Sequence, residues 1–354
     1  MIAAFSHSSG IRLSHEAGEG LSLERIDMNK LERVRAALAG KPVDRVPISF
    51  WRHFPDIDED PLALADQLLR FHEKFDLDFL KVMPSGVYCV EDWGCRVQYD
   101  GASNGAKVCL EHAIRTPKDW RKIKPLAPEQ GAMGRELKCL RAVKAGREDN
   151  APILQTLFSP LTVASKLSGP ELLLRTLREE PDALLAALEV ITETMISYAR
   201  ASFEAGAEGF FYATQMASRD RLSLAEHRKF AAPYDLRILK EISAYSSFNL
   251  LHIHGENIFF EEFSGYPVQA INWHDRMTRP TLGQGQKIFS GAVVGGLEEW
   301  GILMSGPESS IHAQVQEAIS QTAGRRLIIA PGCGLPIDVP EPFLRAARWA
   351  VEGK

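Results

Sequence analysis

Eight short runs of apolar, β-branched or aromatic residues recur along the chain, each separated from the next by helical pattern. In order they are residues 46–54 (VPISFWRHF), 75–83 (FDLDFLKVM), 152–160 (PILQTLFSP), 208–216 (EGFFYATQM), 249–256 (NLLHIHGE), 268–275 (VQAINWHD), 287–296 (KIFSGAVVGG) and 325–334 (RRLIIAPGCG). Strands that are apolar on both faces need cover on both sides. Alternation with helices therefore predicts a parallel sheet under a layer of helices. Eight such units closing on themselves make a single (β/α)8 TIM barrel, and 354 residues suit that architecture as one domain. A doubly wound open sheet is the competing layout. It is weakened because the loop after the first run carries no glycine fingerprint for a dinucleotide.

Helical pattern opens near Met28 and covers 29–40, 61–74 and 131–149. The longest helix is expected to begin at Asp182 as N-cap and to stop at Gly206. Residues 87–115 alternate like strands around the turn GASNG and predict an antiparallel excursion after strand two, lying over the mouth of the barrel. Residues 1–27 lack periodicity and read as a disordered extension to a barrel spanning 28–354; Met28 competes with Met1 as the start of translation.

The net charge of −5, without a basic run, argues against nucleic acid or an anionic membrane as partner. No stretch of about 18 apolar residues is present to span a bilayer. Five cysteines, an odd number with no secretory signal ahead of them, predict reduced thiols and a cytoplasmic protein. Four of the five read as small buried hydrophobes, and the Cys89/Cys95 spacing is too loose for a redox pair or a zinc knuckle.

In a barrel of this kind, reactive groups come from the C-terminal ends of strands. Those ends offer Arg52 and His53, then Lys81 and Met83, then Thr214. Further along they offer His252, His254 and Glu256, then His274 and Asp275, and finally Cys333. His252 and His254 are two apart, so both face the same side of their strand. Taken alone, His-x-His on a strand is more often one packed and one hydrogen-bonded histidine. Cys333, however, lies between two glycines, a poor packing environment for a buried thiol, and its strand converges on the same mouth. Two imidazoles and a thiolate suit zinc and leave one position for water or substrate. Glu256 is a candidate fourth ligand that would shut the site or force an exchange. Arg52 could grip a carboxylate or phosphate, or instead form an ion pair; Lys81 and Lys166 could line the mouth, though solvated charge is the plainer reading of Lys166. Asp275 is read as the acceptor that orients a histidine. The glycines of GAVVGG suit either a ligand or tight barrel packing.

The segments RVRAALAGKPVDRVPISFWRHF, INWHDR, AVVGGLEEWG and APGCGLPIDVPEPFLRA resemble the uroporphyrinogen decarboxylase superfamily, over residues 30–352. The resemblance implies a (β/α)8 barrel and, in the decarboxylase branch, often a homodimer. That branch uses two arginines, an aspartate after strand two, a tyrosine after strand three, a serine after strand four and a late histidine. Here only Arg52 matches an arginine, KVMPSG has no matching aspartate, Lys166 stands about where the tyrosine should be, Thr214 could replace the serine, and Cys333 takes the histidine's place. The other branch carries a zinc motif, His-x-Cys with a distant Cys, and transfers methyl groups between a corrinoid and a thiol. His252 and Cys333 match its first and last ligands, and His254 replaces the middle cysteine. The expected function is therefore zinc-dependent methyl or alkyl transfer to a thiol or similar small-molecule acceptor. The donor would be a methylated corrinoid, free or on a partner corrinoid protein. Arg52, Lys81, Thr214 and Asp275 are the candidate catalytic residues. A tetrapyrrole carboxy-lyase and a non-catalytic ligand-binding barrel are the alternatives.

Overall fold

Parallel pairing joins seven of the eight predicted runs in one curled sheet. The computed structural model describes residues 11–12, 24–25 and 27–352, so the predicted extension lies mostly outside the described residues. Two-residue strands β1 (Ile11–Arg12) and β2 (Glu24–Arg25) pair antiparallel within it. The main sheet contains β3 (Leu80–Val82), β6 (Ile153–Phe158), β7 (Gly209–Thr214), β8 (Phe248–Ile253), β9 (Ala270–Trp273), β10 (Ala292–Leu297) and β11 (Leu327–Pro331), adjacent in that order. Between β3 and β6, strands β4 (Arg96–Tyr99) and β5 (Lys107–Glu111) form a separate antiparallel pair. Every residue of the seven main strands is buried, as a sheet covered on both faces requires.

The first run closes the ring without forming a regular strand. Ser49 donates to the Ile329 carbonyl at 3.0 Å, and Ile329 donates to the Pro47 carbonyl at 2.8 Å. On its other side Asp78 N–H donates to the Ile48 carbonyl at 2.9 Å. Pro47 has no N–H to give, which interrupts a regular ladder here. Ile48 N–H is taken by the Asp78 carboxylate at 2.8 Å. That carboxylate is fully buried and also accepts from Arg33 at 2.7 Å and Arg45 at 2.6 Å. One ionic cluster thus ties the first helix, Lys30–Leu38, and the closing segment to the edge of β3.

Three boundaries differ from the sequence expectation. Residues 287–291 do not begin a strand. Thr281 and Gln284 form a capping box that starts a helix over Leu282–Ile288, and β10 begins only at Ala292. Tyr88–Glu91, expected to be extended, is a short helix, with Tyr88 Oη donating to the Thr156 carbonyl at 2.9 Å. The long helix spans Pro181–Glu204; Pro181 occupies its first turn, so Asp182 lies inside the helix and is not its cap. Gly206 (φ 114°) follows its end as expected.

The antiparallel excursion reaches the mouth. Ile337 N–H donates to the Ser103 carbonyl at 2.8 Å, tying the β4–β5 turn to the loop after β11. Lys107 reaches Asp58 and Glu59, each at 2.6 Å, in the loop after the first run. Among the described residues no helix is long and apolar enough to cross a membrane.

Candidate metal centre

Parallel register brings the ends of β8, β9 and β11 together. His252 pairs directly with Asn272 of β9, and His254 follows the end of β8, its N–H held by the Thr214 carbonyl at 2.9 Å. His274 is the first residue beyond β9, and Cys333 comes two residues after β11. Ligand atoms of His252, His254, His274 and Cys333 all lie within 4.8 Å of one another. Cys333 Sγ is 3.8 Å from His252 Nε2 and 3.7 Å from His254 Nδ1, and His274 Nε2 is 3.4 Å from His254 Nδ1. Tetrahedral zinc, with bonds of roughly 2.3 Å to sulfur and 2.05 Å to nitrogen, separates S from N by about 3.6 Å and N from N by about 3.3 Å. The donors fit such an ion with small adjustments.

Hydrogen bonds fix which ring nitrogens are free. Asn272 donates its amide N–H groups to the carbonyls of Val294 (2.9 Å) and Pro331 (3.1 Å), so its oxygen must face His252. That oxygen is 2.6 Å from His252 Nδ1, which therefore carries the proton, leaving a lone pair on Nε2 toward Cys333. Glu299 plays the corresponding part for His274. Its Oε1 is 2.9 Å from Nδ1, and its Oε2 accepts Gly332 N–H at 3.1 Å. A carboxylate behind a histidine whose other nitrogen faces a metal position is a common support of metal sites. A Cβ on Gly332 would come within 2.8 Å of His274 Cα and 3.2 Å of Glu299 Oε2, so only glycine lets this backbone reach the carboxylate.

Burial by itself would raise the Cys333 thiol; the facing rings of His252, His254 and His274 outweigh it and hold the thiol well below its ordinary range. Burial by itself would lower His274; Cys333 and Glu299 outweigh it and raise this histidine to about 10. Burial lowers His252. Without an ion the group thus holds a thiolate beside an imidazolium at neutral pH. For zinc to take His274 Nε2, that imidazolium must lose its proton. Zinc affinity should therefore rise about tenfold per pH unit between pH 7 and 9, below the His274 value. Titration calorimetry in buffers of different ionisation enthalpy should show close to one proton released per zinc at neutral pH. Removing a supporting acceptor, by Glu299→Ala or Asn272→Ala, should weaken zinc by about 10–100-fold, measurable by competition with a chromogenic chelator.

The structure brings together His252, His254 and Cys333 of the predicted set. Glu256 is not part of the group. It is exposed and lines a separate cleft of about 660 Å³ with Arg219, Asn257 and Arg279, because the chain turns outward at Gly255 (φ 102°). Asp275 does not orient a histidine. Its Oδ1 accepts Gly296 N–H at 2.9 Å, and a Cβ on Gly295 would meet that oxygen at 2.3 Å. The GAVVGG glycines thus accommodate Asp275. Burial raises this carboxyl to about 7. Arg52 donates to the Ile337 carbonyl at 2.5 Å and lies over the rings of Phe54 and Phe71, with no contact to the four donors.

Lys81 does lie beside the group. Its Nζ sits 4.0 Å from the centre of the Phe211 ring, and His252 stacks on that ring at 5.4 Å. Burial lowers Lys81 to about 7, with Cys333 opposing that shift. Lys166 is half-buried over the Phe158 ring, lowered by burial, and neither lysine has a carboxylate partner among the described residues. Thr214, expected among the catalytic residues, is not brought to the group: it pairs with Ile253, on the opposite face of the sheet from His252, and its Oγ1 is buried without a partner among the described residues.

His274 stood among the polar strand ends but carried no assigned role, and Asn272 and Glu299 were not identified. Asn272 had a readable signal: a polar residue within an apolar buried strand must find hydrogen bonds. Glu299 had none, since its reach depends on the register of β10 against β11.

An axial donor set at the C-terminal mouth of a parallel barrel defines the class of protein. The chain belongs to the uroporphyrinogen decarboxylase (URO-D) family, whose model matches residues 29–352. Among its relatives, the methylcobamide:CoM methyltransferase MtaA of Methanosarcina barkeri is 24% identical over 334 residues, covering 89% of this chain and 95% of that protein. A uroporphyrinogen decarboxylase of Syntrophotalea carbinolica is 25% identical over 334 residues, covering 86% of this chain and 92% of that protein. A solved structure of a methyltransferase from Methanosarcina mazei shares the fold, with a TM-score of 0.82 and 24% identity over 92% of this chain and 99% of that one.

Proposed function

We propose that this chain is a zinc-dependent methyltransferase that moves a methyl group from a corrinoid-type donor to a thiol or similar acceptor. The observation that carries the reading is the set of four convergent donors, two of them with their tautomers fixed from behind. Relatives named as methylcobamide:CoM methyltransferases supply the reaction class. Bound at this group, zinc would supply Lewis acidity, so that an acceptor thiol ionises at neutral pH.

His252, His254 and Cys333 would hold the ion. Four protein donors would satisfy a tetrahedral preference, so one of them would have to give way to an acceptor. His274 is suited to leave, because Glu299 stabilises its protonated form. Its Nε2 takes the proton as the acceptor S–H bond breaks, and the sulfur keeps the electron pair. That pair forms the new bond to the methyl carbon, while the donor retains the pair of the bond that breaks. Lys81, buried beside the group with no carboxylate partner among the described residues, is placed to hold an anionic part of the acceptor.

Transfer from methylcobalamin to a panel of small anionic thiols, followed by loss of the cobalt–methyl absorbance, tests the reading. Zinc-loaded protein should turn over, and zinc-free protein should not. The two lysines, which have no carboxylate partner among the described residues, would equally suit a polycarboxylate, which favours a tetrapyrrole carboxy-lyase as the second reading. Metal-free protein that releases CO2 from uroporphyrinogen, while zinc-loaded protein leaves methylcobalamin intact, would replace the first reading by the second.

A further inference from the structure

A second group of soft donors lies on the antiparallel excursion, apart from the four at the barrel axis. Cys95 immediately precedes β4, Cys109 lies within β5, and His112 follows β5 directly. A bulge between Arg96 and Val97 shifts the register so that Cys109 faces Val97. One ligand atom from each of Cys95, Cys109 and His112 lies within 4.8 Å of the other two. No feature of the methyl-transfer reading uses them.

Their surroundings suit an ion better than plain packing. His112 Nδ1 is 3.0 Å from the Lys166 carbonyl, which can only accept. The ring proton is therefore on Nδ1, and Nε2, which lies toward Gly169, carries the lone pair, as in His252 and His274. Ala113 N–H is directed at Cys95 Sγ at 3.4 Å, a contact that favours sulfur as an acceptor. The two sulfurs face each other, and their carbonyl contacts are long: Cys109 Sγ lies 3.7 Å from Glu111 O, and Cys95 Sγ lies 3.9 Å from Lys166 O. Cys109 and His112 are half-buried, and His112 also lines a cleft of about 560 Å³ with Gly169 and Arg175.

We propose that Cys95, Cys109 and His112 form a second metal site, selective for a thiolate-preferring divalent ion of the zinc class, that staples β4 to the end of β5 and, through His112, holds the excursion against the last turn of the helix Pro160–Ser168. Two thiolates and an imidazole match zinc's preference, and hard ions such as magnesium or calcium would be poorly served. The fourth position is left to water. Binding expels the thiol protons, with no redox change. An ion here would fix the carbonyl of Lys166 through His112, and so the segment that carries the Lys166 ammonium.

The test uses cobalt as the probe, on full-length reduced protein under anaerobic conditions. Cys333→Ala first removes a ligand from the axial group. That variant should still bind one equivalent of Co2+ with a sulfur-to-cobalt charge-transfer band. Adding Cys95→Ser and Cys109→Ser should abolish the band. Cys109→Ser or His112→Gln alone, at half-buried positions that should spare the fold, should each weaken binding at least tenfold. A Cys333→Ala variant that takes up no cobalt would overturn the proposal. So would a band that survives loss of both Cys95 and Cys109. Neither outcome touches the axial site, which is read separately in wild-type protein.

Discussion

Replacing Cys333 with alanine should cost the proposed axial site its affinity for zinc and with it the proposed methyl transfer. Structural zinc sites bind with roughly 10–16 kcal/mol, so one of four donors accounts for about 3–4 kcal/mol, an affinity loss on the order of a hundred- to a thousandfold. Cys333 is also the only anion among the four donors. Its removal leaves three imidazoles near the Lys81 ammonium, with only the Glu299 carboxylate behind His274 to offset them. Lys81, already lowered by burial and partly restored by Cys333, should then fall further. Two readouts separate the effects. Competition with a chelator gives the affinity, and a pH profile of acceptor binding gives the Lys81 contribution. A Lys81→Met variant should retain zinc yet lose affinity for an anionic thiol, which separates holding the ion from holding the substrate.

The largest effect on stability should come from Asp78, far from any chemistry. Its carboxylate receives Arg33, Arg45 and the N–H of Ile48 inside the wall where the barrel closes. Asp78→Ala would leave Arg45, only 11% exposed, with Asp76 at 3.9 Å as its remaining carboxylate, would take one of two carboxylates from Arg33, which keeps Asp44, and would leave a buried N–H without a partner. Breaking a buried pair by removing one partner typically costs about 3–5 kcal/mol, because the remaining charge stays desolvated. Urea unfolding followed by circular dichroism should show the midpoint falling accordingly. Asp78→Asn keeps an acceptor for Ile48 and should cost less. A midpoint unchanged in Asp78→Ala would mean that the closing segment is held by its main-chain bonds to β11 alone.

The barrel was legible because each stave is apolar on both faces. That pattern is a property of consecutive residues, and seven of the runs overlap the strands that form. The first run was also read correctly in place, but Pro47 and the intervening Asp78 carboxylate make its pairing irregular, which no periodicity reveals. Boundaries slipped where capping chemistry overrode apolarity, as at Thr281 and Pro181. His252 and His254 share a strand and a face, so their pairing follows from local geometry. Cys333 was found through its glycines. His274 and Glu299 belong to the site only because β9, β10 and β11 align in one particular register, and register among parallel strands is set by long-range packing. Asp275, next to His274, was assigned the supporting role that Glu299 holds. A strand end offers several carboxylates, and which one turns inward depends on the neighbouring glycines, here Gly295 and Gly296. Cys95 and Cys109 read as packing residues because a bulge, invisible in sequence, brings them together.

Anomalous diffraction at the zinc absorption edge, from crystals of untagged protein grown with zinc, examines the central claim most directly. A peak within bonding distance of His252 Nε2, His254 Nδ1 and Cys333 Sγ, with His274 Nε2 alongside, is the predicted result. Fully reduced, zinc-soaked crystals with no peak among those four side chains would contradict it, whether or not density appears beside Cys109.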